Sequence, residues 1–413
     1  MRALCENFAA LYGYACPSTH NVYTAHDGQF FVTIRFMDHV SFPKNFLWGA
    51  ATSAHQVEGG NRNDWEKFLP AGAACDHYNR YEEDFDIAKQ LGHNTHRFSL
   101  EWSRMEPEEG VFDEHEIEHY RKVIQAVRAR GMEPFVTIWH WTLPLWVRDQ
   151  GGWENKKTID DFSRFCDIIS RLLKDVAFWI TINEPMIYAM NGYMRGKWPP
   201  RKKSFFAFLR VLRHVLSAHK KAYEIIKQAA PRAQIGIAKN NVYFDGGFLQ
   251  YPARWWWNHW FLQKIKNHQD FIGLNYYFHN HIRGFRFNQN ENKIISDMGW
   301  EIYPEGIYHA LRELKKYNKP IYITENGIAD AADAKRGKFI RDHLAQVHRS
   351  IQEGADVRGY FYWSLLDNFE WDSGYAARFG LVEVDYKTQV RKIRQSAWEY
   401  KKIIQSAKFK VQN

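Results

Sequence analysis

Two glutamates stand where stability alone would not put a charge. Glu325 lies near the end of the apolar run Ile321-Tyr-Ile-Thr-Glu-Asn-Gly327, and Glu184 near the end of Phe178-Trp-Ile-Thr-Ile-Asn-Glu-Pro185. Both runs read as short buried strands that stop on turn residues, Asn326-Gly327 and Pro185. An unpaired buried carboxylate is costly, so each acid needs a reason to be there. Two carboxyls facing one polar, aromatic site are the equipment of glycoside hydrolysis, in which one acid keeps its proton near neutral pH and the other is ionised. Glu184, between an apolar strand and a proline, is the desolvated one, and its pKa is expected to be raised. Glu325 is expected to stay ionised beside Arg97 and the Tyr277 hydroxyl. Asn183 is suited to bond a sugar hydroxyl. Taken singly, these residues have plainer roles: a strand-end glutamate caps a helix or pairs with a base, His140 is structural, and Arg97 neutralises a buried acid. The case for one site is their convergence.

That convergence depends on the elements that carry them. Strands are expected at Phe46–Ala54, Thr95–Trp102, Pro134–Trp141, Phe178–Asn183, Gln234–Asn240, Phe271–Tyr277, Ile321–Thr324 and Gly359–Leu365. Most are continuous apolar runs, as strands covered on both faces should be. Helical spacing lies between them. Tyr81, Phe85, Ala88 and Leu91 form one stripe, Ile117, Tyr120, Ile124 and Val127 another, and Phe162, Phe165, Ile169 and Leu172 a third. Gly92, Gly131 and Gly354 act as helix stops. Eight strands alternating with helices predict an α/β fold, a (β/α)8 barrel closed by a parallel sheet. In such a barrel the chemistry gathers at the C-terminal strand ends. Gln56, Arg97, His140, Trp141, Asn183, Glu184, Asn275, Tyr277, Glu325 and the Trp363–Trp371 stretch all fall there.

Composition fits one large domain. The chain has 413 residues, 45% hydrophobic and 25% charged, with 17 Trp, most of them expected in the core. The formal net charge of +9 is spread along helices, so neither nucleic acid nor a membrane surface is expected as a partner. Cys5, Cys16, Cys75 and Cys166 are far apart and form no metal or disulfide pattern, which fits reduced thiols in a cytoplasmic protein. No signal-peptide pattern and no membrane-spanning apolar run are read. No metal or organic cofactor is expected, because the two carboxyls supply acid, base and nucleophile.

The ordered motifs resemble glycoside hydrolase family 1, the retaining β-glycosidases. The matching runs are Phe42-Pro-Lys-Asn-Phe-Leu-Trp-Gly-Ala-Ala-Thr-Ser53 with Gln56 and Glu58-Gly59, Arg97-Phe-Ser99, His140-Trp-Thr-Leu-Pro144, Thr181-Ile-Asn-Glu-Pro185 and Asp270-Phe-Ile-Gly-Leu-Asn-Tyr-Tyr277. Ile323-Thr-Glu-Asn-Gly327, Trp363-Ser-Leu-Leu-Asp-Asn-Phe-Glu-Trp371 and Arg378-Phe-Gly-Leu381 complete the set. The resemblance implies Glu184 as acid/base and Glu325 as nucleophile, with Arg97, Asn275 and Tyr277 orienting the nucleophile. It also implies a sugar held by Gln56, His140, Asn183 and Glu370, with Trp363 as floor and Trp141, Trp371 and Phe379 as further contacts. The implied substrate is a small β-glycoside or short β-linked oligosaccharide, most simply an unphosphorylated β-D-glucoside, with fuco- and galactosides as neighbours. A transglycosylase on the same residues and an inert sugar-binding protein are the alternatives.

Two departures from that pattern stand out. Only about 30 residues, Val242 to Asp270, separate strands five and six, so the fifth βα unit is expected to be shortened and its helix reduced or missing. Gly59 to Asp76 is also brief, predicting an open entrance. Residues 1–40 have no counterpart in the family's usual start and are too aromatic for a disordered tail. They are expected to form an extension that packs on the barrel, residues 41–413, over surface bared by the short fifth unit. Deleting residues 1–38 should then lower the melting temperature or cause aggregation. An unchanged melt with a soluble product would rule that covering role out.

Overall fold

The computed structural model describes residues 41–409; the expected N-terminal extension, 1–40, lies outside them. The strands β1 (Leu47–Ala51), β2 (Thr95–Ser99), β3 (Glu133–Trp139), β4 (Phe178–Asn183), β5 (Gln234–Gly246), β6 (Phe271–Ile282), β7 (Ile321–Asn326) and β8 (Val357–Trp363) follow one another around a closed parallel barrel. Closure is made by β1 on β8, in register from Leu47↔Gly359 to Ala51↔Trp363. Burial on both faces explains why these segments read as unbroken apolar runs.

The base of the barrel is filled by rings. Phe135 stacks on Phe178 at 4.2 Å and meets Phe361 at 4.8 Å and Tyr322 at 5.1 Å. Ile180, Ala238 and Phe271 complete this layer. It is a solid floor, so the polar side chains of the upper strand ends have nowhere to point but the mouth.

Outside run helices α1 (His77–Gln90), α2 (Glu114–Ala129), α3 (Lys157–Leu172), α4 (Phe205–Ala229), α5 (residues 250–264), α6 (Pro304–Leu314), α7 (Arg336–Gln352) and α8 (Gln395–Phe409). The expected stripe of α2 is buried, its start is capped by Asp113 accepting from His115 and Glu116 amides, and Gly131 closes it in the left-handed region at φ = 71°. In α3, Phe162, Phe165 and Ile169 are buried as expected, but Leu172 at the helix end is 41% exposed. Cys75 and Cys166 are buried free thiols. No helix among the described residues is long and apolar enough to cross a membrane.

The fifth unit is shortened in its helix and lengthened in its strands. α5 is three five-residue pieces, Gln250–Arg254, a π turn Trp255–His259, and Trp260–Lys264. β5 and β6, expected to end at Asn240 and Tyr277, instead run on to Gly246 and Ile282. The last β4–β5 pair is Asn183↔Ala238 and the last β6–β7 pair is Asn275↔Glu325, so beyond them β5 and β6 pair only with each other. After a register shift at Asn241/Val242, this ribbon continues to Gly246↔Ile282. By alternation, Val242, Phe244, Phe278 and Asn280 face one way, and Tyr243, Asp245, His279 and His281 the other.

The loop after β8 is held by one buried acid. Asp367 accepts from both Arg394 guanidinium nitrogens at 2.8 and 2.9 Å and from the Gly380 amide at 2.9 Å. That anchorage fixes the chain three residues before Glu370.

Candidate active site

Glu184 sits one residue past β4 at φ = 42°, a left-handed conformation that a residue with a side chain rarely adopts. Its amide still donates to the Ala238 carbonyl at 2.8 Å, and Pro185 starts a short helix in the next position. The turn aims the carboxyl across the mouth instead of along the strand. Glu325 sits within β7, where the ladder slips register on both sides: its partner Asn275 follows a shift after Leu274, and the pairing with β8 shifts between Ile323 and Asn326. The next bend, at Gly327, passes so close to β8 that a Cβ there would lie 1.8 Å from the Trp363 carbonyl oxygen.

Arg97, fully buried on β2, ties the rim together. Its Nη1 donates to Glu325 Oε1 at 2.6 Å and to the Thr324 carbonyl at 3.1 Å. Its Nη2 donates to Asn183 Oδ1 at 2.7 Å and its Nε to Thr137 Oγ1 at 3.1 Å. Tyr277 donates its hydroxyl to the other Glu325 oxygen at 2.8 Å. Asn275, expected beside Glu325, donates its amide to Glu184 Oε1 at 2.8 Å and more weakly to Asn183 Oδ1 at 3.3 Å, while its own oxygen accepts from Thr324 Oγ1 at 2.7 Å. Asn183 Oδ1 therefore receives groups that serve both carboxyls.

The two acids differ in their partners. Burial lifts Glu184 to about 8, reinforced by the charge of Glu325 and opposed by Asn275 and Asn240, which are neutral donors, and by Lys239. Burial also raises Glu325, but the Arg97 charge and the bonds from Tyr277, Arg97 and Asn275 oppose it, so Asn275 serves Glu325 as well as Glu184. Of the pair, Glu325 carries the charge and Glu184 the proton. Burial lifts Glu370 to about 8 as well, with the charge of Glu325 as second cause. His140 is pushed well below its ordinary value by burial and then by Arg97, so it is neutral. With Asn183 Oδ1 engaged by Arg97, the Asn183 amide donates to His140 Nε2 at 3.0 Å. That assigns the ring proton to Nδ1, which has no protein partner.

The remaining expected residues split into two groups. Trp141, Trp363, Glu370, Trp371 and Phe379 line a cleft of about 570 Å³ with Glu184 and Glu325. Trp371 lies 4.7 Å from Trp141 and stacks near-parallel to His140 at 5.9 Å, and the Trp141 indole donates to the Asn183 carbonyl at 2.9 Å. Gln56 is fully buried, and its amide is engaged by Asn368, Phe369 and Glu370 at 2.9–3.1 Å. It holds Glu370 in place. The core Trp are a separate set, Trp48, Trp65, Trp102, Trp139, Trp153 and Trp179, all fully buried.

Sequence reading missed the outer half of the cleft. Val242 and Phe244 of β5, Phe278 of β6, Trp256 and Trp257 of α5, and Trp300 form an apolar wall there. The one signal was the Trp255-Trp-Trp257 run, which marked the short unit without saying which way its rings point.

Comparison with known proteins gives one answer. The family model described as glycosyl hydrolase family 1 matches residues 38–244 and 261–409, leaving the end of β5 and most of α5 unmatched in between. Beta-glucosidase A of Thermotoga maritima is 34% identical, over 88% of this chain and 98% of its own length. A beta-galactosidase of Sulfolobus acidocaldarius is 30% identical, over 89% and 96%. Among solved structures, a beta-glycosidase from Pyrococcus horikoshii superimposes with a TM-score of 0.85 at 39% identity, covering 89% of this chain and 96% of that one. The beta-glucosidase from Thermotoga maritima in complex with deoxynojirimycin gives 0.82 at 32% identity, covering 89% and 99%.

The division of charge between the acids is measurable. By 13C NMR, Glu184 should titrate near 8 in the native protein. In Glu325→Gln it should titrate lower, because the neighbouring charge is gone. Identical titration in the two proteins would show that Glu325 is not the ionised partner.

Proposed function

The chain belongs to glycosyl hydrolase family 1 and hydrolyses β-glycosides, and from that premise we propose that it releases a terminal, unphosphorylated β-D-glucosyl residue by double displacement with retention. The observation that carries this reading is the asymmetry of the acids. Glu325 has a donor on each oxygen, one of them a guanidinium, whereas Glu184 has neutral amide donors and a proton held by burial.

Each step follows from that asymmetry. The Glu325 carboxylate attacks the anomeric carbon while Glu184 gives its proton to the departing glycosidic oxygen. A glycosyl ester on Glu325 forms and the aglycone leaves as an alcohol. The ester is uncharged, so the repulsion that helped hold the proton on Glu184 is gone. Its pKa falls, and as a carboxylate it takes a proton from water, which attacks the same carbon from the face the aglycone left, breaks the ester C–O bond and frees Glu325 as a carboxylate. Two inversions give net retention. The sugar rests on Trp363, meets the neutral His140 ring and bonds to Glu370, and is oriented by Asn183. Glu370 places an acid, not a cation, beside the sugar, which fits a free hydroxyl better than a phosphate. The apolar outer wall favours an aryl or alkyl aglycone, each buried methylene contributing about 0.8 kcal/mol.

Assay of p-nitrophenyl β-D-glucoside tests the assignment. Glu325→Gln should lower kcat/KM by more than about 10³-fold, as loss of a covalent nucleophile does. Glu184→Ala should lose about 10²–10⁴-fold and be rescued by azide with a β-glycosyl azide product. An α product, or an active Glu325→Gln enzyme, would defeat double displacement. The pH profile should be a bell. Activity falls at low pH as Glu325 is protonated, on a limb raised above the usual carboxylate range, and falls above about 8 as Glu184 loses its proton.

The outer wall makes a separate claim. Octyl β-D-glucoside should exceed methyl β-D-glucoside in kcat/KM by at least about tenfold, and Trp257→Ala should shrink that ratio. Equal values for the two glucosides would show that the wall does not hold the aglycone.

A further inference from the structure

Behind the cleft wall the β5–β6 ribbon carries a second constellation that the glycosidase chemistry does not use. Asp245 and His281 are register partners across the ribbon, and His279 lies two residues before His281 on the same face. One ligand atom from each of the three lies within 4.8 Å of the other two, and this is the one such group of three among the described residues. Asp245 Oδ1 is 2.7 Å from His281 Nδ1 and 3.1 Å from His279 Nε2. The other nitrogen of His279, Nδ1, is 2.5 Å from Glu301 Oε2.

The surroundings of His279 point to a cation. Its side chain is only 6% exposed, and each ring nitrogen faces a carboxylate oxygen. A neutral imidazole has one N–H, so the two contacts require either a second ring proton or a cation shared by Nε2 and Asp245. Glu301 is itself held, accepting from the Asn290 amide at 2.9 Å and from the Asn292 backbone at 3.1 Å. Tyr303 stacks on the imidazole at 3.9 Å and fixes its plane. A histidine that gives Nδ1–H to a clamped carboxylate and turns Nε2 toward further ligands is the arrangement that metal-binding histidines adopt. Two imidazole nitrogens and one carboxylate oxygen make a three-ligand set that suits zinc, with water completing a tetrahedron.

We propose that Asp245, His279 and His281 bind one divalent transition-metal ion, Zn²⁺ fitting best, with Glu301 as the outer partner of His279. The ion clips β5 to β6 beyond the barrel, where neither strand has another strand to pair with. The opposite face of the same ribbon presents Val242, Phe244 and Phe278 to the cleft. The clip therefore stiffens the aglycone wall from behind and takes no part in bond cleavage. Asp245 opens the stretch that the family model leaves unmatched, whereas His279, His281 and Glu301 lie within the matched residues.

Tag-free, full-length protein, stripped with EDTA and titrated calorimetrically at pH 7.5, tests the site. ZnCl2 should bind at one equivalent per chain and raise the melting temperature, whereas MgCl2 should do neither, because magnesium disfavours imidazole. Asp245→Asn and His281→Ala should each weaken Zn²⁺ binding at least about 100-fold, and Glu301→Gln by about 10–100-fold with the stoichiometry kept. His268→Ala, a histidine outside the cluster, should change nothing. In EDTA, native and His281→Ala proteins should hydrolyse the aryl glucoside equally, which separates this proposal from the catalytic one. Absence of Zn²⁺ binding, binding indifferent to Asp245→Asn and His281→Ala, or an equal response to Mg²⁺ would overturn it and leave the cluster as a hydrogen-bonded ion pair only.

Discussion

Everything at the barrel mouth depends on a guanidinium buried with no exposure to water. Arg97 meets Glu325 at 2.6 Å, and its other donors reach Asn183, Thr137 and the Thr324 carbonyl. Removing one partner of such a buried pair costs about 3–5 kcal/mol, because the other charge is stranded. The floor of rings below leaves Arg97 no route to solvent, and Glu325 opens only to the cleft, so the pair is stable only while the barrel holds both. In return it fixes the oxygen of Asn183, and through it the orientation of His140 and the reach of Asn275.

The same constraint sorts three acids in one cavity. Glu184, Glu325 and Glu370 all lose hydration there, and burial raises each of them. Arg97 pairs with only one. The charge it retains on Glu325 then raises the other two. A shared cavity with one cation thus makes an acid and an anion from identical side chains, which is how paired carboxyls acquire different roles. His140 stays neutral under the same burial and the same Arg97.

Outside this inner region the wall is made differently. The inner half of the cleft is set by strand ends held on both sides by the barrel. The outer half is set by a ribbon of two strands that outrun their neighbours. A lone pair of strands is marginal in water. This one is backed on the cleft side by α5, with Asn258 bonded to both Val242 backbone groups at 3.0 and 2.8 Å. On the other side lies the Asp245–His279–His281–Glu301 cluster. A stiff ribbon is what a cleft needs if it is to distinguish aglycones.

The sequence by itself determined the barrel and the two acids. Buried parallel strands must be continuous apolar runs, and a glutamate at the end of each of two such runs in one barrel converges on one mouth, so strand number, strand order and the facing of Glu184 and Glu325 were legible in composition and spacing. Whether Gln56 contacts substrate or buttresses Glu370 was not, because that depends on which of several acceptors its amide meets. Nor was the direction of Asn275, which lies between both carboxyls. Strands five and six looked finished at Asn240 and Tyr277, since polar residues follow each. Only the tertiary structure decided that they continue, because strand length past a barrel rim is set by pairing with a partner 30 or more residues away, a long-range contact that local pattern does not encode.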